Sequence, residues 1–215
     1  LETFAKNLSE TQPTVFFAVP RIWTKFQLGI LKKMPQKKLD NLLRIPIVSG
    51  LVKNKLKKAL GLAKARSCVS GAAMLPETLK NWYKKIGVDI TIGYGMTENC
   101  AIATLLLPED NKPGSVGKAQ PGAEMKIDPE TNEILMKGPY VMTGYYEDPI
   151  KTAETIKDGW LHTGDQGRMD EDGFVWITGR VKDTFKSAKG QFIVPAKLEK
   201  GFEDNSDIEQ ICIVG

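Results

Sequence analysis

Cysteine and histidine are both scarce in this sequence. The cysteines are Cys68, Cys100 and Cys212, and they never occur in the C-x-x-C spacing, so neither a disulfide framework nor a zinc site is indicated. The single histidine, His162, has no second imidazole with which to share a metal ion. We therefore expect buried, inert thiols, a structural histidine and a reducing compartment.

Long apolar runs are also missing. No stretch approaches the roughly 20 apolar residues that a membrane-spanning helix needs. The first residues, LETFAKNLSE, lack the basic and then apolar pattern of a signal peptide. Hydrophobic residues make up 41% of the 215 residues and charged residues 26%, which is the balance of an ordinary globular protein. The sequence predicts a cytoplasmic protein with one full domain and part of a second.

Positive charge is concentrated in one segment. Between Lys25 and Arg66, ten Lys and two Arg stand against one Asp, whereas the whole chain has a net charge of only +4. Three interpretations are open: a solvated helical face, a patch that contacts an anionic membrane surface peripherally, and a nucleic-acid surface. Clustered lysines attract anionic headgroups by about 1 kcal/mol each. Nucleic acid is disfavoured because aromatic residues are few and are not interleaved with the charges.

The first half of the chain alternates between strand and helix patterns, which predicts an α/β fold with a parallel sheet to about residue 110. The helix that begins at Pro20 places Ile22, Phe26 and Ile30 on one apolar face. The remaining predicted elements follow in order: a helix at LETFAKNLSET, a strand at PTVFFAVP, a lysine-rich loop, a helix near 51–60, a strand at ARSCVSG, a helix from Pro76 and a strand at VDITIGYG.

The second half changes to short strands separated by turns. AEMKID and EILMKGP read as strands, and DEDG joins GRM to FVWITG as a hairpin. A helix at PIKTAETIKDG interrupts this pattern, and a helix at PAKLEKGFED and an apolar strand at IEQICIVG follow it. We predict a small β-barrel or sheet over 111–181, and the start of another domain over 182–215.

The stretch GYGMTE follows a predicted strand and combines glycines with a hydroxyl and a carboxylate. Ligands of open parallel sheets bind outside the carboxyl ends of the strands. Gly95 lets the backbone approach a ligand closely, Thr97 can donate to a phosphate, and Glu98 can hold Mg²⁺. A nucleotide site fits this set, and a tight turn with a solvated glutamate is the alternative.

A second candidate set is Asp165 and Arg180, which stand fifteen residues apart around the predicted hairpin. A carboxylate between glycines can accept hydrogen bonds from two ribose hydroxyls, and a guanidinium can reach the same sugar or a phosphate. The alternative is a surface ion pair that stabilises the hairpin by less than about 1 kcal/mol.

Six landmarks in order carry a family resemblance: SGAAM, GYGMTE, GSVGKAQPG, GWLHTGD, ITGRVKD and KGQFIVPAKLE. Together they resemble the adenylate-forming superfamily of acyl-CoA synthetases, luciferases and adenylation domains. TVFFAVPRIWTKFQ and GYYEDPIKTAETIKDGWLHTGD look most like the long-chain fatty acyl-CoA synthetases. The resemblance implies part of an acetyl-CoA-synthetase-like fold, with a mobile C-terminal α+β domain that begins at residue 182.

The resemblance also implies a role for each matching residue. Those assigned to the nucleotide are Gly71, Ala72 and Ala73 at the adenine pocket, Tyr94 on the adenine face, Gly95 and Met96 in the nucleotide loop, Thr97 at the α-phosphate, Glu98 at Mg²⁺, and Asp165 and Arg180 at the ribose. Thr97 and Glu98 would be the catalytic pair. Lys182 would be the hinge of the mobile domain, and Lys189 and Gly190 would line the channel for CoA.

The implied reaction uses ATP, Mg²⁺ and CoA to turn a fatty acid first into an acyl-adenylate and then into a thioester. The family's Ser/Thr/Gly-rich phosphate loop does not occur in residues 1–91, and its catalytic lysine would lie beyond Gly215. We therefore expect this segment to be inactive alone. Two alternatives stay open, namely transfer to another acceptor such as a carrier protein, and a non-catalytic nucleotide-binding homologue. KSAKGQ departs from the loop of some relatives, which weakens the inference about the acceptor.

Overall fold

The computed structural model describes residues 3–101, 103–110, 112–186, 192–202, 208 and 211–214. The chain divides into two compact units. The first unit comprises Leu1–Ile92 with Leu107–Glu109, and the second comprises Gly93–Leu106 with Asp110–Gly215.

The first unit combines helices with a parallel sheet. Its elements are, in order, α1 (Phe4–Thr11), β1 (Val15–Ala18), α2 (Pro20–Lys33), α3 (Gln36–Leu43), α4 (Pro46–Ala59), β2 (Ser67–Ser70), α5 (Glu77–Lys85) and the start of β3 (Ile90–Tyr94). β2 pairs with β1 on one side and with β3 on the other, in parallel. This arrangement confirms the prediction of an α/β fold for this part of the chain.

An aromatic cluster forms the centre of the first unit's core. Trp23 and Tyr83 are fully buried and meet edge to face, with ring centroids 5.0 Å apart. The Tyr83 hydroxyl donates to the Trp23 carbonyl (2.6 Å), and the Trp23 indole N–H donates to the Ala18 carbonyl (3.1 Å). Trp23 is thus the buried centre of α2, whereas the predicted face of Ile22, Phe26 and Ile30 is only half-buried.

The lysine-rich segment after α2 was predicted to be a loop, and this prediction is wrong. It forms α3, which buries Leu39 completely and packs against α4. Helices with few apolar positions still form when packing covers those positions. The many lysines hid a short apolar stripe in the sequence.

The second unit is built on an antiparallel sheet. Its elements are β4 (Thr104–Leu106), β5 (Gly117–Ala119), β6 (Glu124–Ile127), β7 (Glu133–Lys137), α6 (Pro149–Thr155), β8 (Ile156–Lys157), β9 (Trp160–Met169), β10 (Phe174–Arg180), β11 (Phe185–Lys186), β12 (Phe192–Ile193) and α7 (Pro195–Glu199). The sheet runs in the order β4-β5-β10-β9-β7-β6, with β8 beside β9. The predicted small β unit is therefore a sheet.

The predicted hairpin joins β9 to β10. Asp170 closes its turn, because its carboxylate accepts the Phe174 N–H at 2.8 Å, and Gly173 supplies the positive φ (+82°). Lys112 ties the same turn to the preceding loop through Asp170 (2.7 Å) and Asp172 (2.8 Å). The hairpin sets Arg180 directly opposite Asp165 in the register of the two strands.

Two further expectations need correction. The apolar strand predicted at IEQICIVG is absent from the described part of that stretch, where residues 208 and 211–214 have no regular structure. A strand needs a neighbour to satisfy its backbone groups.

The expectation that all three thiols are buried is also wrong. Cys68 is buried, whereas Cys100 and Cys212 are exposed. No helix within the described ranges is long and apolar enough to span a membrane.

Candidate functional site

The GYGMTE stretch forms a tight turn at the start of the second unit. Tyr94 ends β3, and a 3-10 turn covers Thr97–Asn99. A Cβ at position 95 would lie 2.4 Å from the Ala101 carbonyl carbon, so only glycine fits there. The close contact at Gly95 in the structure is with the protein's own chain at Ala101, and the predicted approach to a ligand stays a prediction.

Asn99 locks this turn from inside. Its side chain is completely buried, and its Oδ1 accepts the Met96 N–H at 2.8 Å. The Ala101 N–H closes the loop on the Met96 carbonyl at 2.9 Å. Asn99 was not predicted as a site residue, although an amide three residues after the start of a turn is a known capping signal. In the turn held by these hydrogen bonds, Thr97 is exposed and Glu98 is half-buried.

Glu98 is held at both its backbone and its side chain. The Tyr145 hydroxyl donates to Glu98 Oε1 at 2.7 Å, and the Met142 N–H donates to the Glu98 carbonyl at 2.8 Å. Tyr145 was not predicted as a site residue, and it is 47 residues from Glu98 in the chain. The hydrogen bond to Glu98, followed by burial, raises the pKa of Tyr145. The phenol therefore stays protonated and remains a donor at neutral pH.

Asp165 connects the end of β3 with the β9–β10 hairpin. The Tyr94 hydroxyl donates to Asp165 Oδ2 at 2.8 Å, and Arg180 Nε lies 3.3 Å from Asp165 Oδ1. The Asp165 side chain is only 13% exposed, whereas that of Arg180 is 70% exposed. Burial and the Asp165 charge raise the pKa of Tyr94 far above its usual value. Tyr94 is thus a permanent donor to this carboxylate.

Glu133 supports the loop that carries Asp165. Its two oxygens contact His162 Nδ1 and the Gly164 N–H, each at 2.8 Å. The Glu133 side chain is 12% exposed, and Gly164 adopts a φ of +73°. His162 therefore has the structural role that the sequence predicted.

The structure brings Tyr94, at the start of the GYGMTE turn, into contact with Asp165, which lies beside Arg180 in the second unit. A model of the family described as "AMP-binding enzyme" matches residues 1–146 of the chain. The chain belongs to this AMP-binding family. The resemblance to adenylate-forming enzymes is thereby confirmed.

Relatives of this AMP-binding protein are acid–CoA ligases. The chain is 35% identical to the peroxisomal long chain acyl-CoA synthetase 6 of Arabidopsis thaliana, over 97% of the chain and 34% of that enzyme. The anthranilate–CoA ligase AuaEII in complex with anthranoyl-AMP is 27% identical, with a TM-score of 0.72 over 100% of the chain and 39% of that structure. The o-succinylbenzoate–CoA synthetase of Bacillus subtilis, in complex with ATP and magnesium ion, is 25% identical, with a TM-score of 0.71 over 100% of the chain and 41% of that structure. The chain therefore spans about two fifths or less of the length of these relatives.

The other predicted site residues belong to the first unit, to the turn after β10 or to the part of the chain outside the described ranges. Gly71, Ala72 and Ala73 follow β2 in the first unit, and Ala72 adopts a φ of +66° that is unusual for a residue with a side chain. Lys182 is exposed in the turn after β10. Lys189 and Gly190 lie outside the described residues. Ser70, at the end of β2, buries a hydroxyl that has no hydrogen-bond partner among the described residues.

The donor set at Glu98 fits a magnesium ion bound together with a nucleotide. The described residues contain no group of three or more His, Cys, Asp or Glu side chains that could hold a metal ion by itself. Mg²⁺ does not need one, because it is usually bound by one or two carboxylates plus phosphate oxygens and waters. Glu98 supplies such a carboxylate, held at one oxygen by Tyr145.

Proposed function

We propose that the complete protein containing this chain activates a fatty acid with ATP and transfers the acyl group to CoA. The observation that carries the proposal is the hydrogen bond from Tyr94 to Asp165 (2.8 Å). It joins the strand end before Thr97 and Glu98 to the carboxylate beside Arg180. These are the residues that the family resemblance assigns to the phosphate, metal and ribose of one nucleotide.

The proposed roles follow from what each side chain can offer. Asp165 accepts the ribose hydroxyls, and Arg180 neutralises its charge from the exposed side. The Tyr94 ring packs on the adenine, while Gly95 and Met96 supply backbone beside the nucleotide. Gly71, Ala72 and Ala73 line the adenine pocket, as the resemblance implies.

The first half-reaction is an attack at phosphorus. The fatty-acid carboxylate forms a bond to the α-phosphorus of ATP, and the bond to pyrophosphate breaks. Thr97 donates to the α-phosphate, and Glu98 holds Mg²⁺, which neutralises charge on the phosphate oxygens when bound. Fixed donors and cations at these oxygens stabilise the transition state because they need no reorganisation.

The second half-reaction is a thiol displacement. The CoA thiol loses its proton to solvent, the resulting thiolate forms a C–S bond at the acyl carbon, and AMP leaves with the pair of electrons of the broken C–O bond. We propose that Lys182 is the hinge about which the C-terminal domain turns between the two steps, and that Lys189 and Gly190 line the CoA channel. Domain rotation of this kind lets one pocket serve two reactions in turn.

The acid is proposed to be long-chain. This assignment rests on likeness to the long chain acyl-CoA synthetase of Arabidopsis thaliana. The structural relatives that act on anthranilate and o-succinylbenzoate make aromatic acids the alternative.

A panel of acids tests the proposal. The complete gene product is offered ATP, Mg²⁺ and CoA with fatty acids of increasing length, anthranilate or o-succinylbenzoate, and pyrophosphate and thioester are measured. We expect both products with long-chain acids. Pyrophosphate without thioester points to another acceptor, such as a carrier protein. No acid-dependent pyrophosphate release with any acid contradicts the ligase assignment and leaves a non-catalytic nucleotide-binding protein.

We also propose that the first unit contacts an anionic membrane surface through residues 25–66. Four large apolar side chains stand exposed within this basic segment: Leu28 (58%), Ile45 (51%), Ile47 (83%) and Leu51 (68%). Apolar side chains among lysines are the composition that binds at a membrane interface.

A further inference from the structure

We infer that Tyr145 positions the Glu98 carboxylate for Mg²⁺, an inference that rests on the proposed function. The Tyr145 hydroxyl and Glu98 Oε1 are 2.7 Å apart, which is the short distance of a hydrogen bond to a charged carboxylate. One carboxylate oxygen is thereby fixed, and the other is left for the metal. Neither the family assignment of Glu98 nor its neighbours in sequence point to this phenol.

The Tyr145 backbone is fixed by the first turn of α6. The Tyr145 N–H donates to Thr152 Oγ1 at 2.9 Å, and Thr152 Oγ1 donates to the Asp148 carbonyl at 2.8 Å. Gly144 packs so closely that a Cβ there would lie 2.8 Å from Thr152 Cγ2. The main chain at Tyr145 is therefore held in place by these contacts.

The Tyr145 side chain is fixed as well. Lys151 Nζ lies 4.3 Å from the centre of its ring, within range of a cation–π contact. The hydroxyl at the edge of the ring is held by its hydrogen bond to Glu98 Oε1. The Tyr145 side chain is therefore held at its ring and at its hydroxyl.

The same segment also holds the backbone of Glu98. The Met142 N–H donates to the Glu98 carbonyl at 2.8 Å, three residues before Tyr145. Glu98 is therefore held at its main chain and at its carboxylate by one short stretch of chain. Partners that orient a metal ligand in this way change metal affinity about 10-fold to 100-fold when they are removed.

Tyr145→Phe in the complete gene product tests the inference, because it removes the hydroxyl and keeps the ring over which Lys151 lies. Calorimetry measures the binding of ATP in the absence of any acid, once with Mg²⁺ and once with EDTA. We expect the affinity for ATP with Mg²⁺ to fall about tenfold, and the affinity for ATP in EDTA to stay unchanged. Retained binding in EDTA also demonstrates that the variant is folded.

Tyr146→Phe is the matched control. Its side chain is 91% exposed, and the change is chemically identical one residue along the chain. We expect it to leave both affinities unchanged, and an equal effect of the two substitutions would count against the inference.

The remaining outcomes separate the inference from the function on which it rests. Tyr145→Phe could weaken the binding of ATP equally with and without Mg²⁺, or leave it unchanged in both conditions. Either result means that Tyr145 only supports the loop, so that the inference is wrong while the proposed function stands. If the wild-type protein binds ATP equally well with and without Mg²⁺, the role of Glu98 fails and the inference fails with it. A wild-type protein that binds no nucleotide overturns both.

Discussion

Asp165 carries a different partner on each carboxylate oxygen. Tyr94 donates to Oδ2 and Arg180 lies against Oδ1. A carboxylate has about four acceptor sites, so each oxygen can still accept one hydroxyl. Two neighbouring ribose hydroxyls need such a pair of acceptors. The protein partners orient the carboxylate without using up its capacity.

Asp165→Asn tests this reading through the sugar. The amide keeps one oxygen for Tyr94 but loses the charge and one acceptor. Hydrogen bonds to charged groups contribute about 1.5–3 kcal/mol, so we expect ATP to bind at least about tenfold more weakly. Binding of 2′,3′-dideoxy-ATP, which lacks the hydroxyls, should hardly change. Both affinities are measured by calorimetry on the complete gene product.

Asp172→Asn serves as the control for the lost charge, because Asp172 is exposed and shares Lys112 with Asp170. This substitution should leave the affinities for ATP and for 2′,3′-dideoxy-ATP unchanged. Equal loss for ATP and the dideoxy compound in Asp165→Asn would place Asp165 in a structural role.

At the scale of elements, the structural features that depend on neighbouring residues could be predicted from the sequence. The features that depend on contacts between distant residues could not. The strand–turn character of β3 and GYGMTE was readable, because β-branched residues followed by glycines act locally. Tyr145 was not readable, because its contact with Glu98 spans 47 residues. The helix α3 was not predicted for the same reason. Its single buried residue is Leu39, and the helix is stabilised by packing against α4, which the local sequence does not show.

The helix α4 offers a test of the membrane contact. Ile47 and Leu51 lie one turn apart and are 83% and 68% exposed. Burying one such side chain is worth about 1.5–3 kcal/mol. We therefore expect Ile47→Ser with Leu51→Ser to weaken sedimentation with anionic vesicles at least about tenfold. The wild-type protein should bind these vesicles at low salt and be released by high salt.

Vesicles of neutral lipid are the control, since they present the same apolar interior without the charge. Equal binding to neutral and anionic vesicles would contradict a role for the lysines. Unchanged binding of the double variant would contradict a role for α4, and failure of the wild-type protein to sediment with any vesicle would remove the proposal.

At the scale of the molecule, one folded body carries both ends of the proposed nucleotide site. Tyr94, Glu98, Asp165 and Arg180 all belong to the second unit. The residues proposed to contact the sugar and the metal therefore belong to the same unit. The chain nevertheless spans only 34% of the length of its Arabidopsis thaliana relative, and no phosphate loop of the family's type occurs in residues 1–91.

The 215 residues expressed alone should not catalyse the reaction. Nucleotide contacts position ATP, but the charge that develops on the leaving pyrophosphate needs further fixed donors. We expect acid-dependent pyrophosphate release from the complete gene product and none above background from the 215-residue segment, in the same assay. Robust turnover by the segment would contradict the view that the remaining groups lie elsewhere.

Cys68 is buried and Cys100 is exposed, and this difference allows a fluorescent probe to be placed in the turn that contains Glu98. Burial raises the pKa of Cys68 to about 11, so this thiol resists alkylation at pH 8. Cys100 is exposed two residues after Glu98, in a turn where its φ is +55°. With Cys212 replaced by serine, a maleimide dye would attach at position 100 and spare position 68. Its fluorescence would then report on the arrival of a nucleotide two residues from Glu98, the carboxylate proposed to hold magnesium, without any change to the residues that hold Glu98.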